Sequence, residues 1–303
     1  MENSLQLIGK TPIYNIEGTN IYAKLEKYNL TGSIKDRAVL GMLEEAKRQG
    51  KLNDDTIVVE PTSGNTGISL AALGKLMNLK VVIVMSESMS IERRNLIKSY
   101  GAQVVLTPKE LRTKGAIAKA EEIVKNNDNA IMLNQFDNPS NADYHYKTTA
   151  QEILEQVPDI DVFVAGVGTG GTFTGIARYL KENKKDVITV AVEPELSPAI
   201  SKGQGGAHRI QGIGTGFIPG NFDRSVMDEV ITVNDFQSMD EAINFMQTTG
   251  IGIGISSGAV LIAAKKLAKK YPTKKIVTIF ADGMDKYFSV LKFPDVKFVE
   301  EQY

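Results

Sequence analysis

Short runs rich in β-branched residues, at 56–60, 80–85, 103–106, 161–165, 187–193 and 276–281, alternate along this chain with stretches of helical period. Alternation of this kind predicts parallel sheets whose faces are covered by helices, an α/β fold. Helices are expected at 36–49, 66–77, 91–100, 116–125, 142–155, 172–182, 239–248 and 257–269. In the first of these Val39, Leu40, Met42, Leu43 and Ala46 share one face, and Gly50 stands where a glycine would end the helix. A chain of 303 residues is too long for one ordinary core, so two compact lobes are expected. No internal repeat, heptad seam, low-complexity tract or Pro/Ser-rich linker marks where one lobe ends.

Charge narrows the function. With 35 basic and 36 acidic residues the formal net charge is −1, which offers no electrostatic footprint for a nucleic acid or a membrane surface, and a small-molecule substrate fits better. The longest apolar runs, 81–85 and 161–167, are strand-sized and far short of a membrane span, so a soluble protein is expected. The start, Met1-Glu2-Asn3-Ser4, lacks the basic stretch and apolar core of a secretory signal, and a cytoplasmic location is the expectation. Cysteine is absent and histidine occurs only at His145 and His208, which removes disulfides, thiolate nucleophiles and cysteine-ligated metals. Neither histidine has a partner at ligand spacing; both read as surface or supporting residues, and no metal site is expected. The chemistry must therefore use lysine, hydroxyls, carboxylates or a cofactor.

Four motifs offer such chemistry. Gly32-Ser33-Ile34-Lys35-Asp36-Arg37 sets a lysine just ahead of a helix, whose positive end lowers the lysine pKa and favours the free amine that forms Schiff bases. Alone it reads more simply as a solvated lysine at a helix start. Glu60-Pro61-Thr62-Ser63-Gly64-Asn65-Thr66-Gly67, between a strand and a helix, gathers N–H and O–H donors suited to a carboxylate, or is an N-capped turn. Gly168-Thr169-Gly170-Gly171-Thr172 opens a helix as a phosphate cup. A dinucleotide site is its rival, with Glu193 as the ribose-binding acid, but Phe173 occupies the third glycine position of that fingerprint and Gly175 comes late. Gly9-Lys10-Thr11 resembles the end of a P-loop, yet Ser4 stands where its first glycine belongs. Gly254-Ile255-Ser256-Ser257-Gly258-Ala259 is either a serine N-cap or a cofactor contact.

Together, in this order and spacing, the motifs resemble the cysteine synthase and cystathionine β-synthase group of fold-type II pyridoxal-phosphate enzymes, most closely O-acetylserine sulfhydrylase. The resemblance runs from Ile8-Gly9-Lys10-Thr11-Pro12 to Asp282-Gly283-Met284-Asp285-Lys286-Tyr287 and takes in 90–102, 114–122, 134–141 and 211–219. It implies a tryptophan synthase β-like fold with a smaller α/β lobe at 36–137 and a larger, cofactor-binding lobe at 1–35 and 138–303. It implies that Lys35 is the catalytic Schiff-base lysine, that Asn65 bonds the ring oxygen of pyridoxal 5'-phosphate, and that Gly168, Thr169, Gly170, Gly171 and Thr172 hold its phosphate. Ser256 would face the pyridine nitrogen, with Ser257 as the alternative, and Thr62, Ser63, Asn65, Thr66 and Gln135 would bind the substrate carboxylate. A neutral hydroxyl at the ring nitrogen does not stabilise a pyridinium, which favours loss of a β-substituent over transamination.

The activity implied is β-replacement, making L-cysteine from O-acetylserine and sulfide through an aminoacrylate intermediate. Sulfide release from cysteine, or a cystathionine β-synthase-like reaction on serine, is the alternative, and a dinucleotide oxidoreductase a weaker one. A binding or scaffold protein on the same fold would be signalled by loss of Lys35 or the glycine cup, and both are intact. The resemblance also implies a homodimer, and a serine acetyltransferase C-terminal tail as a partner at the active-site mouth. The chain departs from the family at Asn29-Leu30-Thr31-Gly32-Ser33, at Ser86, at Tyr146, where arginine is usual, and at Thr215, where sulfhydrylases carry alanine. Thr215 and Asp223 could aim a hydroxyl or carboxylate at Cβ and assist hydroxide transfer. With the sequence ending at Tyr303, the regulatory module of many cystathionine β-synthases is not expected.

Overall fold

The computed structural model describes residues 4–62, 64–87, 89, 91–291 and 293, apart from the side chain of Arg112. Its strands form two sheets. The four-stranded sheet contains β3 (Ile57–Pro61), β4 (Lys80–Ser86), β5 (Gln103–Thr107) and β6 (Ala130–Met132), all parallel, in the order β5-β4-β3-β6. The six-stranded sheet contains β1 (Ile13–Asn15), β2 (Ile21–Leu25), β7 (Val162–Gly166), β8 (Ile188–Pro194), β9 (Glu229–Val233) and β10 (Ile276–Phe280), in the order β1-β2-β10-β7-β8-β9. Among the described strands of this sheet only the β1–β2 pair is antiparallel.

Alternation along each strand decides which helices it meets. Val162 and Val164 of β7 face one way, into a core with Val260, Ala264 and Leu267 of α10 (Ile255–Lys270) and Phe245 of α9 (Asp235–Thr249). Phe163 and Ala165 face the other way, against Phe173, Ile176 and Leu180 of α7 (Gly171–Asn183). In the smaller sheet Val58 and Ile83 pack on α1 (Lys35–Arg48) and α2 (Asn65–Leu76), while Val59, Val82 and Val84 pack on α4 (Arg112–Lys125). The apolar face foreseen for α1 is buried, and Gly50 just beyond the helix has φ +70°, the left-handed conformation a terminating glycine supplies.

The six foreseen strands and the helices foreseen at 66–77, 91–100, 172–182, 239–248 and 257–269 form within a few residues of the expected bounds, α3 being Ile91–Ser99. The helix expected at 142–155 is instead two: α5 (Pro139–Lys147), capped by Asn138 with Pro139 in its first turn, and α6 (Thr149–Gln156). The break falls at Thr148, whose φ and ψ are −127° and −73° and whose hydroxyl donates back to the Tyr144 carbonyl at 2.7 Å.

A buried charge network locks α1 in place. Arg37 is fully buried and pairs with Glu26 at 2.7 Å and Glu152 at 2.6 Å, and Lys24 reaches Glu152 at 2.8 Å. The guanidinium's planar fork meets two carboxylates from different parts of the chain, so the helix carrying Lys35 can neither slide nor turn without unpairing buried charge.

Candidate active site

The parallel strands β3, β7 and β10 all end beside one cavity, where open α/β sheets bind ligands. The cavity encloses ≈ 610 Å³ including its open mouth, and Lys35, Asn65, Gly168, Thr169, Gly170, Thr172 and Ser256 line it together with Gly212, Ile213 and Tyr287. Residues from four separate motifs, spread over more than 200 positions of sequence, thus meet in one place.

Lys35 is the first residue of α1. The loop before it is stitched to the segment after β10, for Ile34 N–H donates to the Ala281 carbonyl at 2.8 Å and Ser33 bridges Asp282. Lys35 keeps surface towards the cavity it lines, yet protein surrounds it closely enough that burial pushes its pKa down to about 8, against the opposing pull of the Asp282 carboxylate. The sequence pointed to a depressed lysine through the helix end; the dominant cause is loss of water.

At two positions the glycine loop after β7 has room for backbone alone. A Cβ on Gly168 would come within 2.2 Å of the Gly212 carbonyl, and one on Gly170, at φ +86°, within 2.7 Å of the Phe222 nitrogen. The first N–H groups of α7 have no intrahelical partner and converge where a phosphate would be favoured by the helix dipole. Gly171 does not line the cavity; it packs against Asn141, whose oxygen a Cβ would approach at 2.1 Å. Asn141 also donates to the Thr169 hydroxyl at 3.0 Å, and His145 Nε2 meets the Thr172 hydroxyl at 3.1 Å. His145 is therefore no surface residue: it is wholly buried behind the cup, its Nδ1 bonded to Thr149 at 2.9 Å. Burial, then the positive charge of Arg37 and Lys35, hold its pKa well below the usual value, so the ring is neutral.

Ser256 lies in the first turn of α10 and lines the cavity, whereas Ser257 is fully buried and does not. Asn65 donates from Nδ2 to Asp282 Oδ2 at 2.7 Å, which leaves its second amide hydrogen uncommitted, and its carbonyl oxygen is buried without a partner among the described residues. Thr62, Thr66 and Gln135 sit beside the cavity rather than on its wall: Thr66 donates to Gln135 Oε1 at 2.7 Å, and Gln135 Nε2 to the Pro61 carbonyl at 3.1 Å. Beneath them buried Glu60 accepts from the Asn134 and Gln135 amides at 3.1 and 3.0 Å, and burial pushes its pKa up to about 7. Ser63 lies outside the described residues.

Other candidates are committed elsewhere. Thr215 donates to the Phe217 carbonyl at 2.8 Å, and Asp223 pairs with Arg178 at 2.8 Å while capping the short 224–226 turn; neither lines the cavity, so the Cβ assistance considered for them has no support in their geometry. Glu193, the would-be ribose ligand, accepts from the Ile200 and Ser201 amides at 2.7 and 3.0 Å. Thr11 bonds Glu26 at 2.6 Å, and the next element after it is strand β1, not the helix of a P-loop. Sequence reasoning gave no role to Asp282, Tyr287, Asn141 or Arg93. Asp282 alone carried a usable signal, an acid two residues past a parallel strand.

A pyridoxal-phosphate dependent enzyme family model matches residues 4–282. The chain is 48% identical over 291 residues to cysteine synthase B of Campylobacter jejuni, covering 95% of this chain and 97% of that one. Among solved structures, a hydrogen sulfide-producing enzyme of Fusobacterium nucleatum superposes with TM-score 0.91 at 41% identity, covering 95% and 100% of the two chains. Cysteine synthase of Entamoeba histolytica superposes with TM-score 0.92 at 35% identity, covering 98% and 93%. This chain belongs to the pyridoxal-phosphate dependent enzyme family; it is an enzyme whose cofactor is pyridoxal 5'-phosphate. The cavity fits that group: a cradle that a Cβ would fill at Gly168 and Gly170 suits the phosphate, a lysine of lowered pKa suits the aldehyde, and no carboxylate among the described residues lines the wall at Ser256. No helix among the described residues is long and apolar enough to cross a membrane.

Proposed function

We propose that this enzyme is a cysteine synthase, replacing the acetate of O-acetylserine with sulfide at Cβ. The observation that carries this reading is the cavity in which Lys35, the glycine cup and Ser256 converge. When bound, pyridoxal phosphate supplies the electron sink that acidifies the Cα proton and labilises the β-substituent. Lys35 is then the base: its free amine takes the Cα proton and returns one when product forms. Gly168, Thr169, Gly170, Gly171 and Thr172 hold the phosphate, Asn65 the ring oxygen, and Ser256 the ring nitrogen. Thr62, Ser63, Asn65, Thr66 and Gln135 receive the substrate carboxylate, and their closure would keep water from the reacting Cβ.

No histidine lines the cavity to protonate a departing hydroxide, which supports an activated substrate over serine. Likeness to a hydrogen sulfide-producing enzyme supports cysteine as the competing substrate. We place the smaller lobe at 36–137 and the larger at 1–35 and 138–303, a division supported by the membership of the two sheets. The family resemblance supports a cytoplasmic homodimer and docking of a serine acetyltransferase C-terminal tail at the cavity mouth. The deciding experiment measures kcat/KM for O-acetylserine, O-phosphoserine, serine and cysteine under identical sulfide. O-acetylserine is expected to lead, and a clear preference for serine or cysteine overturns the synthase reading while leaving the cofactor chemistry in place.

A further inference from the structure

Asp282 follows β10 and is 1% exposed. Its Oδ2 accepts from Asn65 Nδ2 at 2.7 Å and from the Tyr287 hydroxyl at 2.6 Å, and both donors line the cavity. Its Oδ1 has no hydrogen-bond partner among the described residues and lies against Gly254, where a Cβ would come within 1.9 Å. A carboxylate buried this deeply costs free energy unless its neighbours use it. Here two of them do, and both face the cofactor cavity.

We propose that Asp282 is a positioning residue of the active site: by taking one amide hydrogen of Asn65 it fixes the plane of that amide and leaves the other hydrogen for the cofactor. The inference rests on the reading of the cavity as the cofactor site and extends it to a residue that lies behind the wall. Tyr287 completes the arrangement. Its hydroxyl shares the same oxygen, and the Arg93 guanidinium of α3 stacks over its ring at 5.0 Å while donating to Gln211 at 2.5 Å. The carboxylate is also the charge that opposes the burial of Lys35. The charged and titratable groups around the pair are Lys35 of α1, Arg93 of α3, His145 of α5, and Lys286 and Tyr287 after β10.

Equilibrium dialysis of pyridoxal phosphate against full-length protein stripped of cofactor tests the proposal. Asp282→Ala is expected to weaken binding about tenfold, the scale of a lost hydrogen bond to a charged group, and Asp282→Asn, whose amide oxygen still accepts from Asn65, to restore most of it. In both variants the pH midpoint for modification of Lys35 by an amine reagent, read by mass spectrometry on stripped protein, is expected to fall, because the facing negative charge is gone. Wild-type affinity in Asp282→Ala, or equal weakening in both variants, overturns the proposal. Should Asp282→Ala fail to fold, Gly254→Ala serves instead: its φ of −73° accepts alanine, and the new Cβ displaces the carboxylate, so the same loss is expected and unchanged affinity overturns it. Failure of the underlying reading shows separately, since borohydride would then fix the cofactor of the wild-type enzyme to a lysine other than Lys35, and both fall together.

Discussion

The hydroxyl of Thr66 donates to the side-chain oxygen of Gln135 at 2.7 Å, joining the first turn of α2 to the loop after β6. Two groups assigned to the substrate carboxylate are thus held together before substrate arrives. Thr66→Val and Gln135→Ala are expected to raise KM for the amino-acid substrate about tenfold, with kcat changed less and cofactor affinity intact. Steady-state kinetics beside cofactor dialysis check this, and an equal fall in kcat at unchanged KM contradicts it.

Lys35→Ala is expected to abolish turnover in a folded protein, and borohydride reduction of the wild type to leave the pyridoxyl label on Lys35. In stripped protein the amine titrates near 8, so cofactor capture should climb as pH rises through that value and flatten above it. An unfolded lysine holds its proton to higher pH. Between about 8 and 10.5 the unfolded chain therefore binds more protons, and the Lys35 contribution favours folding increasingly as pH rises across that window. Stopped-flow capture rates and denaturant melts against pH read the two effects.

Ser256→Ala removes a neutral hydrogen bond worth about 0.5–1.5 kcal/mol and should keep activity within roughly tenfold. Ser256→Asp should stabilise a protonated ring nitrogen and slow β-replacement far more. Turnover and visible spectra of the two variants decide it; wild-type behaviour in both would remove Ser256 from the ring-nitrogen contact.

Gly170→Ala combines a left-handed backbone at φ +86° with a Cβ 2.7 Å from the Phe222 nitrogen. The conformational strain alone is about 1–3 kcal/mol. Calorimetry should show a lower Tm, and dialysis a loss of cofactor larger than the strain accounts for. Full cofactor binding would remove this loop from the phosphate site.

Much of the fold was legible because buried parallel strands and amphipathic helices write their periods directly into the chain, as at 80–85 and in α1. What stayed hidden was short or depended on distant partners. Strands β1 and β6 have three residues each, too few to show a period. The break at Thr148 turns on one hydroxyl, and His145 became a supporting residue of the cup only because α5 packs against α7. The wall of the cavity was legible through glycine and hydroxyl motifs at helix entrances. Asp282 was marked only by its place two residues past a parallel strand, and Tyr287 not at all, since a carboxylate and a phenol in a loop carry no pattern that distinguishes a buried pair from a solvated one.

The order of strands in the six-stranded sheet sets a timetable for synthesis. Residue 21 pairs with residue 276, so the amino-terminal hairpin waits for nearly the whole chain before its neighbour in the sheet exists. The four-stranded sheet, complete by residue 132, has all its strands long before that. On a ribosome the smaller sheet can assemble while the larger stands open, and non-local parallel pairing of this kind is slow and exposes apolar edges. The last of the described strands to emerge, β10, joins the two portions of the larger sheet and brings Asp282 to the lysine loop. A nascent chain therefore has no finished pocket until β10 has emerged, and truncation before residue 276 leaves the hairpin unpaired on that side.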